Sequence, residues 1–235
     1  MEEGRHVVEY TSCIGCGRCT DSCYAHALVI TGRQMTVDEV LEQIRMDEPY
    51  YKRSGGGITL SGGEPVLQWG FAKELLIKCR EAGIHTAIQT AGNYDFTNLQ
   101  ELLPYLDLIM YDIKAYSEDI YKTVIRGDRE RILGNLKRLD RMDVPIIVRT
   151  PVVGSVNDTD SEVEAIAAYL SEMKHLQHYI LLPYHELGKV KYDALGMEYK
   201  NNFYTPNKEQ MQHLEEIAAN YIKVYNIETG YRNAE

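Results

Sequence analysis

The chain has 235 residues, 44% of them hydrophobic, enough for one sizeable core. Its formal net charge of −10, from 25 basic and 35 acidic side chains, opposes unspecific attraction to phosphate backbones or anionic membranes, so nucleic acid is not an expected partner. No apolar run approaches the roughly 18–20 residues that cross a bilayer, and the acidic opening Met1-Glu2-Glu3 is unlike a signal peptide, so a cytoplasmic protein with no membrane partner is expected.

Four of the five cysteines crowd into Cys13 to Cys23, which in a reducing compartment points to a metal or cluster rather than to disulfides. Cys13-x2-Cys16-x2-Cys19-x3-Cys23 is the bacterial ferredoxin spacing, in which three closely spaced thiolates wrap one 4Fe-4S cluster. Gly15 and Gly17 permit the tight turns that present the thiolates. Zinc more often pairs two CxxC units across a longer spacer. In two-cluster ferredoxins the fourth cysteine of such a run serves the other cluster, and no second run exists here. The expectation is therefore one cluster on Cys13, Cys16 and Cys19, completed by Cys23 or an outside ligand. Cys79 lies in an apolar helical stretch and reads as a buried structural thiol.

Downstream, Thr36 to Asp47 reads as a helix, with Val37, Val40, Leu41 and Ile44 at helical spacing and Thr36 and Glu39 at the spacing of a capping box. Strand and helix then alternate. Short β-branched runs occur at 57–60, 85–88, 106–110, 145–148 and 179–182, with helical stretches at 69–82, 129–142 and 161–174. A closing helix is expected after Thr205, with Thr205 as its cap and Pro206 at its first position. This alternation predicts an α/β fold: a parallel sheet with right-handed crossovers, forming a partial or complete (β/α) barrel. Residues 1–34 are expected to form a partial ferredoxin-like segment and residues 35–235 the partial barrel. Ligands then gather at the C-terminal ends of the strands.

Three segments carry a family resemblance: the ferredoxin run, the glycine-rich turn Ser54-Gly-Gly-Gly-Ile-Thr-Leu-Ser-Gly-Gly-Glu-Pro65, and Tyr111-Asp112-Ile113-Lys114. Together they resemble pyruvate formate-lyase activating enzyme and its relatives, the glycyl-radical-enzyme activating family of radical S-adenosylmethionine proteins, over about Cys13 to Tyr199. The likeness is strongest to the subgroup with a ferredoxin-like insertion. It implies a radical S-adenosylmethionine barrel and hydrogen abstraction from a backbone glycine of a partner glycyl-radical enzyme, with flavodoxin or ferredoxin as electron donor. It assigns the amino and carboxylate end of S-adenosylmethionine to Gly62, Gly63 and Glu64. Asp112 and Lys114 are also placed at the cofactor, with Met110 and Asp112 near a monovalent cation. Gln89 stands where relatives often carry an acidic residue, which weakens the case for that cation. His185 is implied as a contact to the adenosyl part. Arg149, at the end of the run Ile146-Ile-Val-Arg149, is a further candidate on position alone: a cation at a strand terminus in a barrel mouth pairs either a carboxylate ligand or a structural aspartate.

The family's catalytic 4Fe-4S cluster needs a Cys-x3-Cys-x2-Cys triad, and this sequence has none. The chain is expected to begin inside the ferredoxin insertion and to make no glycyl radical by itself. The alternative is a non-catalytic iron–sulfur remnant serving electron transfer or partner binding.

Overall fold

The structure, a computed structural model, describes residues 8–195, 197–199, 202–226 and 230–232. The described helices are α1 (Arg18–Asp21), α2 (Val37–Met46), α3 (Glu48–Ser54), α4 (Trp69–Glu81), α5 (Phe96–Gln100), α6 (Glu118–Ile120), α7 (Arg129–Leu139), α8 (Asp160–Leu170), α9 (Lys189–Ala194) and α10 (Lys208–Ala219). The strands are β1 (Gly57–Leu60), β2 (His85–Thr90), β3 (Leu108–Asp112), β4 (Ile146–Val152), β5 (Leu176–Pro183), β6 (Val224–Asn226) and β7 (Gly230–Arg232). The chain divides into two compact units, one of Met1–Thr36 with Glu186–Asn201 and one of Val37–His185 with Asn202–Glu235.

The larger unit is an α/β partial barrel. Its strands run in the order β1-β2-β3-β4-β5-β6-β7, parallel from β1 to β6, with β7 antiparallel at the edge. No pairing closes β1 onto β7 among the described residues. The sequence left closure open, and this sheet is open.

Alternation along each strand sorts side chains between two faces. Ile109, Tyr111, Val148, Val152, Tyr179 and Leu181 are buried against the apolar sides of the helices, which supply Leu76, Leu136, Leu139, Ile166, Leu170 and Leu214. The opposite face carries half-buried Gln89, Met110, Asp112, Arg149, Ile180 and Leu182. Gly57 starts β1 because a Cβ there would lie 1.8 Å from the His85 carbonyl oxygen of the paired strand.

Four of the five strands read from sequence extend further toward their C-terminal ends or differ in start. β2 runs on to Thr90, β4 to Val152 and β5 to Pro183, while β3 starts at Leu108 because Leu103–Tyr105 forms a 3-10 turn first. The Asp107 carboxylate there accepts from Thr86 N at 2.8 Å and fixes the start of the β2–β3 pairing. The closing helix begins later than expected: Asn207, not Thr205, caps α10, its side chain accepting from Gln210 N at 2.8 Å. Asn serves this role as well as Thr, and the extended backbone at Asn207 leaves Pro206 outside the helix.

In the smaller unit, Gly15 and Gly17 take left-handed φ of 65° and 77°, and Gly17 opens α1 by accepting from Thr20 N and Asp21 N. The Tyr10 hydroxyl donates to the Ala194 carbonyl at the end of α9, and the rings of Tyr192 and Tyr199 meet edge to face at 5.0 Å. No helix among the described residues is long and apolar enough to cross a membrane.

Candidate functional site

The C-terminal end of β1 leads into Ser61-Gly62-Gly63-Glu64. Gly62 and Gly63 are exposed, and Gly62 has φ 125°, a backbone conformation only glycine takes freely. Glu64 turns inward. Its carboxylate accepts from Thr90 Oγ1 at 2.9 and 3.0 Å, from Ala91 N at 3.0 Å and from Val66 N at 3.4 Å. One side chain thus caps the turn that leads into α4 and ties the glycine-rich loop to the end of β2. Beside it, Ser61 Oγ donates to Gln89 Oε1 at 3.3 Å.

The β2 end is equally constrained. Gly92 has φ 76°, and a Cβ there would lie 1.6 Å from the Tyr111 hydroxyl, which donates to Ile132 O at 2.7 Å. Buried Asn135 of α7 donates to Gly92 O and Tyr94 O, each at 2.9 Å. Burial pushes the hydroxyls of Tyr94, Tyr111 and Tyr179 well above the ordinary tyrosine range.

At the ends of β3 and β4, register decides the chemistry. Asp112 and Arg149 are Cα partners, so their side chains leave the same face next to each other. Arg149 donates to Asp112 Oδ1 from Nη2 at 2.7 Å and from Nε at 3.2 Å, while its Nη1 lies 3.8 Å from Met110 Sδ. The guanidinium therefore touches the two residues named for a monovalent cation, and the third, Gln89, is uncharged.

Lys114 lies two residues past the end of β3, and its backbone is clamped. Asn157, 2% exposed, donates to Lys114 O at 2.7 Å and to Pro151 O at 2.8 Å, while accepting from Val153 N at 2.6 Å. Glu162 of α8 accepts from Tyr116 N and, at 2.9 Å, from Ser117 N. Thr150 Oγ1 donates to Ile113 O at 2.6 Å and accepts from Tyr179 OH at 3.0 Å.

Asp112 and Lys114 line a cavity of about 160 Å³ together with Ala91, Asn93, Tyr121 and Arg126. Asn93, Arg126, Asn135, Asn157 and Glu162 were not singled out from sequence. Their importance arises from contacts 40 or more residues apart in several cases, which no local pattern encodes. His185 is exposed beyond β5, and no hydrogen bond or ion pair joins it to the other candidates among the described residues.

The four clustered cysteines belong to the smaller unit. Cys13, Cys16 and Cys19 are exposed and Cys23 is half-buried. Gly15 N donates to Cys13 Sγ at 3.4 Å. The backbone N–H groups of Leu28 and Ala27, with those of Ala25 and His26, hold the Cys23 thiol below its ordinary range, against a smaller opposing effect of burial. Such N–H···S donors suit a thiolate-bound cluster, although no three metal-ligating side chains converge among the described residues. Cys79, the remaining cysteine, is fully buried in α4, so the larger unit offers no thiolate set for a cluster.

A parallel sheet whose strand ends carry a glycine-rich turn, the carboxylates of Glu64 and Asp112, the cations of Lys114 and Arg149 and a small cavity suits a zwitterionic ligand. Residues 12–170 match the family model described as Radical SAM superfamily. The chain belongs to that superfamily. Within it, the sequence places it among the glycyl-radical-enzyme activating enzymes. It is 38% identical over 203 residues to isethionate sulfite-lyase activating enzyme of Nitratidesulfovibrio vulgaris, covering 86% of this chain and 66% of that one. It is 35% identical over 207 residues to pyruvate formate-lyase-activating enzyme of Clostridium pasteurianum, covering 86% of this chain and 85% of that one. The crystal structure of a domain of pyruvate-formate lyase-activating enzyme from Bacteroides vulgatus matches this fold with a TM-score of 0.60 at 27% identity, over 71% of this chain and 94% of that one. The chain thus spans about two thirds of the isethionate relative's length.

Proposed function

We propose that this radical SAM chain supplies the cofactor-binding barrel of a protein that activates a glycyl-radical enzyme. S-adenosylmethionine would supply the one-electron chemistry that removes hydrogen from a backbone glycine of the partner. The backbone carbonyls at Gly62 and Gly63 would receive its ammonium group. Glu64 would fix that turn, because its carboxylate already accepts from Thr90, Ala91 and Val66. Lys114 would supply positive charge, Asp112 would be held by Arg149, and His185 would meet the adenosyl part. Cys13, Cys16 and Cys19, with Cys23, would hold one auxiliary 4Fe-4S cluster of the ferredoxin-insertion subgroup, reduced by a flavodoxin or ferredoxin. The observation that carries this reading is the arrangement of Glu64, Asp112, Lys114 and Arg149 at the C-terminal ends of β1, β3 and β4.

A second reading applies to the chain by itself, because none of its five cysteines forms a Cys-x3-Cys-x2-Cys triad. These residues alone would make no glycyl radical and would act in electron transfer or partner binding. Anaerobic reconstitution, with iron and sulfide analysis and electron paramagnetic resonance in the presence of S-adenosylmethionine, a reductant and a glycyl-radical enzyme, tests both points. One 4Fe-4S cluster per chain and no glycyl signal are expected. Two clusters or zinc alone would overturn the ligand assignment, and a glycyl signal would overturn the predicted inactivity.

A further inference from the structure

The smaller unit is built from two stretches far apart in the chain, Met1–Thr36 and Glu186–Asn201. The second is an excursion out of the larger unit, which holds both ends of it. Tyr184 N donates to Val152 O at 3.0 Å just before the excursion, and Gly154 N donates to Tyr204 O at 2.9 Å just after it. The rings of Tyr184 and Phe203 meet edge to face at 6.1 Å. A Cβ on Gly154 would lie 2.4 Å from the Tyr204 ring, so only glycine lets these two segments pair. Val152 ends β4 and Gly154 follows two residues later, so the chain leaves and returns at one place. A loop with its ends fixed side by side can order or open locally while the strands that anchor it stay intact.

Apolar burial does not hold the smaller unit together. None of its described side chains is buried, and Ile14, Leu187, Val190 and Met197 are all exposed. Ordering a residue's backbone costs roughly 1–2 kcal/mol, which a unit of this size without a core cannot offset by burial; such units rely on disulfides or metals. A hydrogen bond joins the two stretches: the Tyr10 hydroxyl donates to Ala194 O at the end of α9. Tyr10 stands three residues before Cys13. Within the excursion, Leu195 N donates to Lys191 O at 3.1 Å and Met197 N to Tyr192 O at 2.9 Å.

We infer that loading a cluster on Cys13, Cys16, Cys19 and Cys23 orders α9, with Tyr10 as the link between the cysteine segment and the excursion. The inference rests on the auxiliary-cluster reading above and extends it to residues that ligate nothing. Where ligands come from a segment with no core of its own, metal-binding free energy becomes folding free energy. Drawing four thiolates onto one cluster fixes the backbone that carries Tyr10, and the Tyr10 hydroxyl then holds the C-terminal end of α9. The excursion begins at the residue after His185, so the state of the cluster reaches a cofactor-contact candidate through the chain itself. The auxiliary cluster thereby acts as a conformational device as well as an electron carrier.

Hydrogen–deuterium exchange of the full chain tests this, comparing anaerobically reconstituted protein with metal-free protein kept reduced, and reading peptides that cover 186–199. The expected result is exchange slowed about tenfold or more in those peptides on loading, with the β4 peptide Ile146–Val152 exchanging alike in both forms. Tyr10→Phe, which removes one hydroxyl, should load the same iron and sulfide but lose about two- to tenfold of that protection, the range one hydrogen bond supplies. Unchanged exchange at 186–199 in fully loaded protein, equal slowing at β4, or wild-type protection in Tyr10→Phe would each overturn the inference while leaving the cluster reading intact. Failure of the wild-type chain to take up iron and sulfide would overturn the cluster reading and this inference with it.

Discussion

The pairing of Asp112 with Arg149 has a stability consequence whose size follows from burial. The two side chains are 14% and 15% exposed and meet through two donors on one carboxylate oxygen. Exposed pairs contribute about 0–1 kcal/mol, and breaking a fully buried one costs about 3–5 kcal/mol because the remaining charge loses its partner. Residual solvent contact puts this pair between those limits. Arg149→Met should therefore cost about 2–3 kcal/mol and Asp112→Asn a similar amount. The double variant should cost much less than their sum, because neither charge is then left behind, giving a coupling of about 2 kcal/mol. Urea unfolding of the four proteins, followed by circular dichroism, measures the cycle. Single variants within about 0.5 kcal/mol of wild type, or additive effects, would refute the reasoning, and the guanidinium would then be free to serve another carboxylate.

Three further outcomes follow from the strand ends. Gly92→Ala should destabilise by about 2–4 kcal/mol through its left-handed backbone and its clash with the Tyr111 hydroxyl, and Tyr111→Phe in the same chain should recover part of that in thermal melts. Asn157→Leu leaves Lys114 O, Pro151 O and Val153 N without their partner, so a loss of about 2–4 kcal/mol is expected, together with weaker S-adenosylhomocysteine binding. Burial pushes Tyr121 up to about 12, whereas in the unfolded chain tyrosine ionises near its ordinary value of about 10. The native state then binds more protons than the unfolded one, so stability is full below about pH 10 and is lost as pH rises toward 12. Tyrosinate absorbance should rise in step with loss of ellipticity; independent titration of all tyrosines near 10 with the fold retained would contradict this.

Much of the scaffold was legible because its signals are local. The β-branched runs at Gly57–Leu60 and His85–Ile88 mark β1 and most of β2, and the ferredoxin spacing is readable from four cysteines without any fold. The strands β6 and β7 were not legible, since each has three residues and β6 meets β5 at a single paired position. The Asp112–Arg149 contact depends on β3–β4 register, which the sequence of either strand leaves undetermined. Glu64 was placed at the cofactor by the resemblance alone; that its carboxylate also accepts from the β2 end was not legible, because the contact is set by the proximity of Thr90 and Ala91 in the folded sheet. Arg126 drew no attention because left-handed backbone is normally signalled by glycine or asparagine, and here an arginine adopts it.

The central claim is that S-adenosylmethionine binds across the C-terminal ends of β1 to β4. Hydrogen–deuterium exchange of the full chain with and without this ligand, read by mass spectrometry, tests it most directly. Protection should appear in the peptides containing Gly62–Glu64, Thr90–Asn93, Asp112–Ser117 and Arg126, with none in the segment Lys137–Arg141 at the far end of α7. Unchanged exchange at those strand ends, or protection confined to the α7 end, would contradict the account.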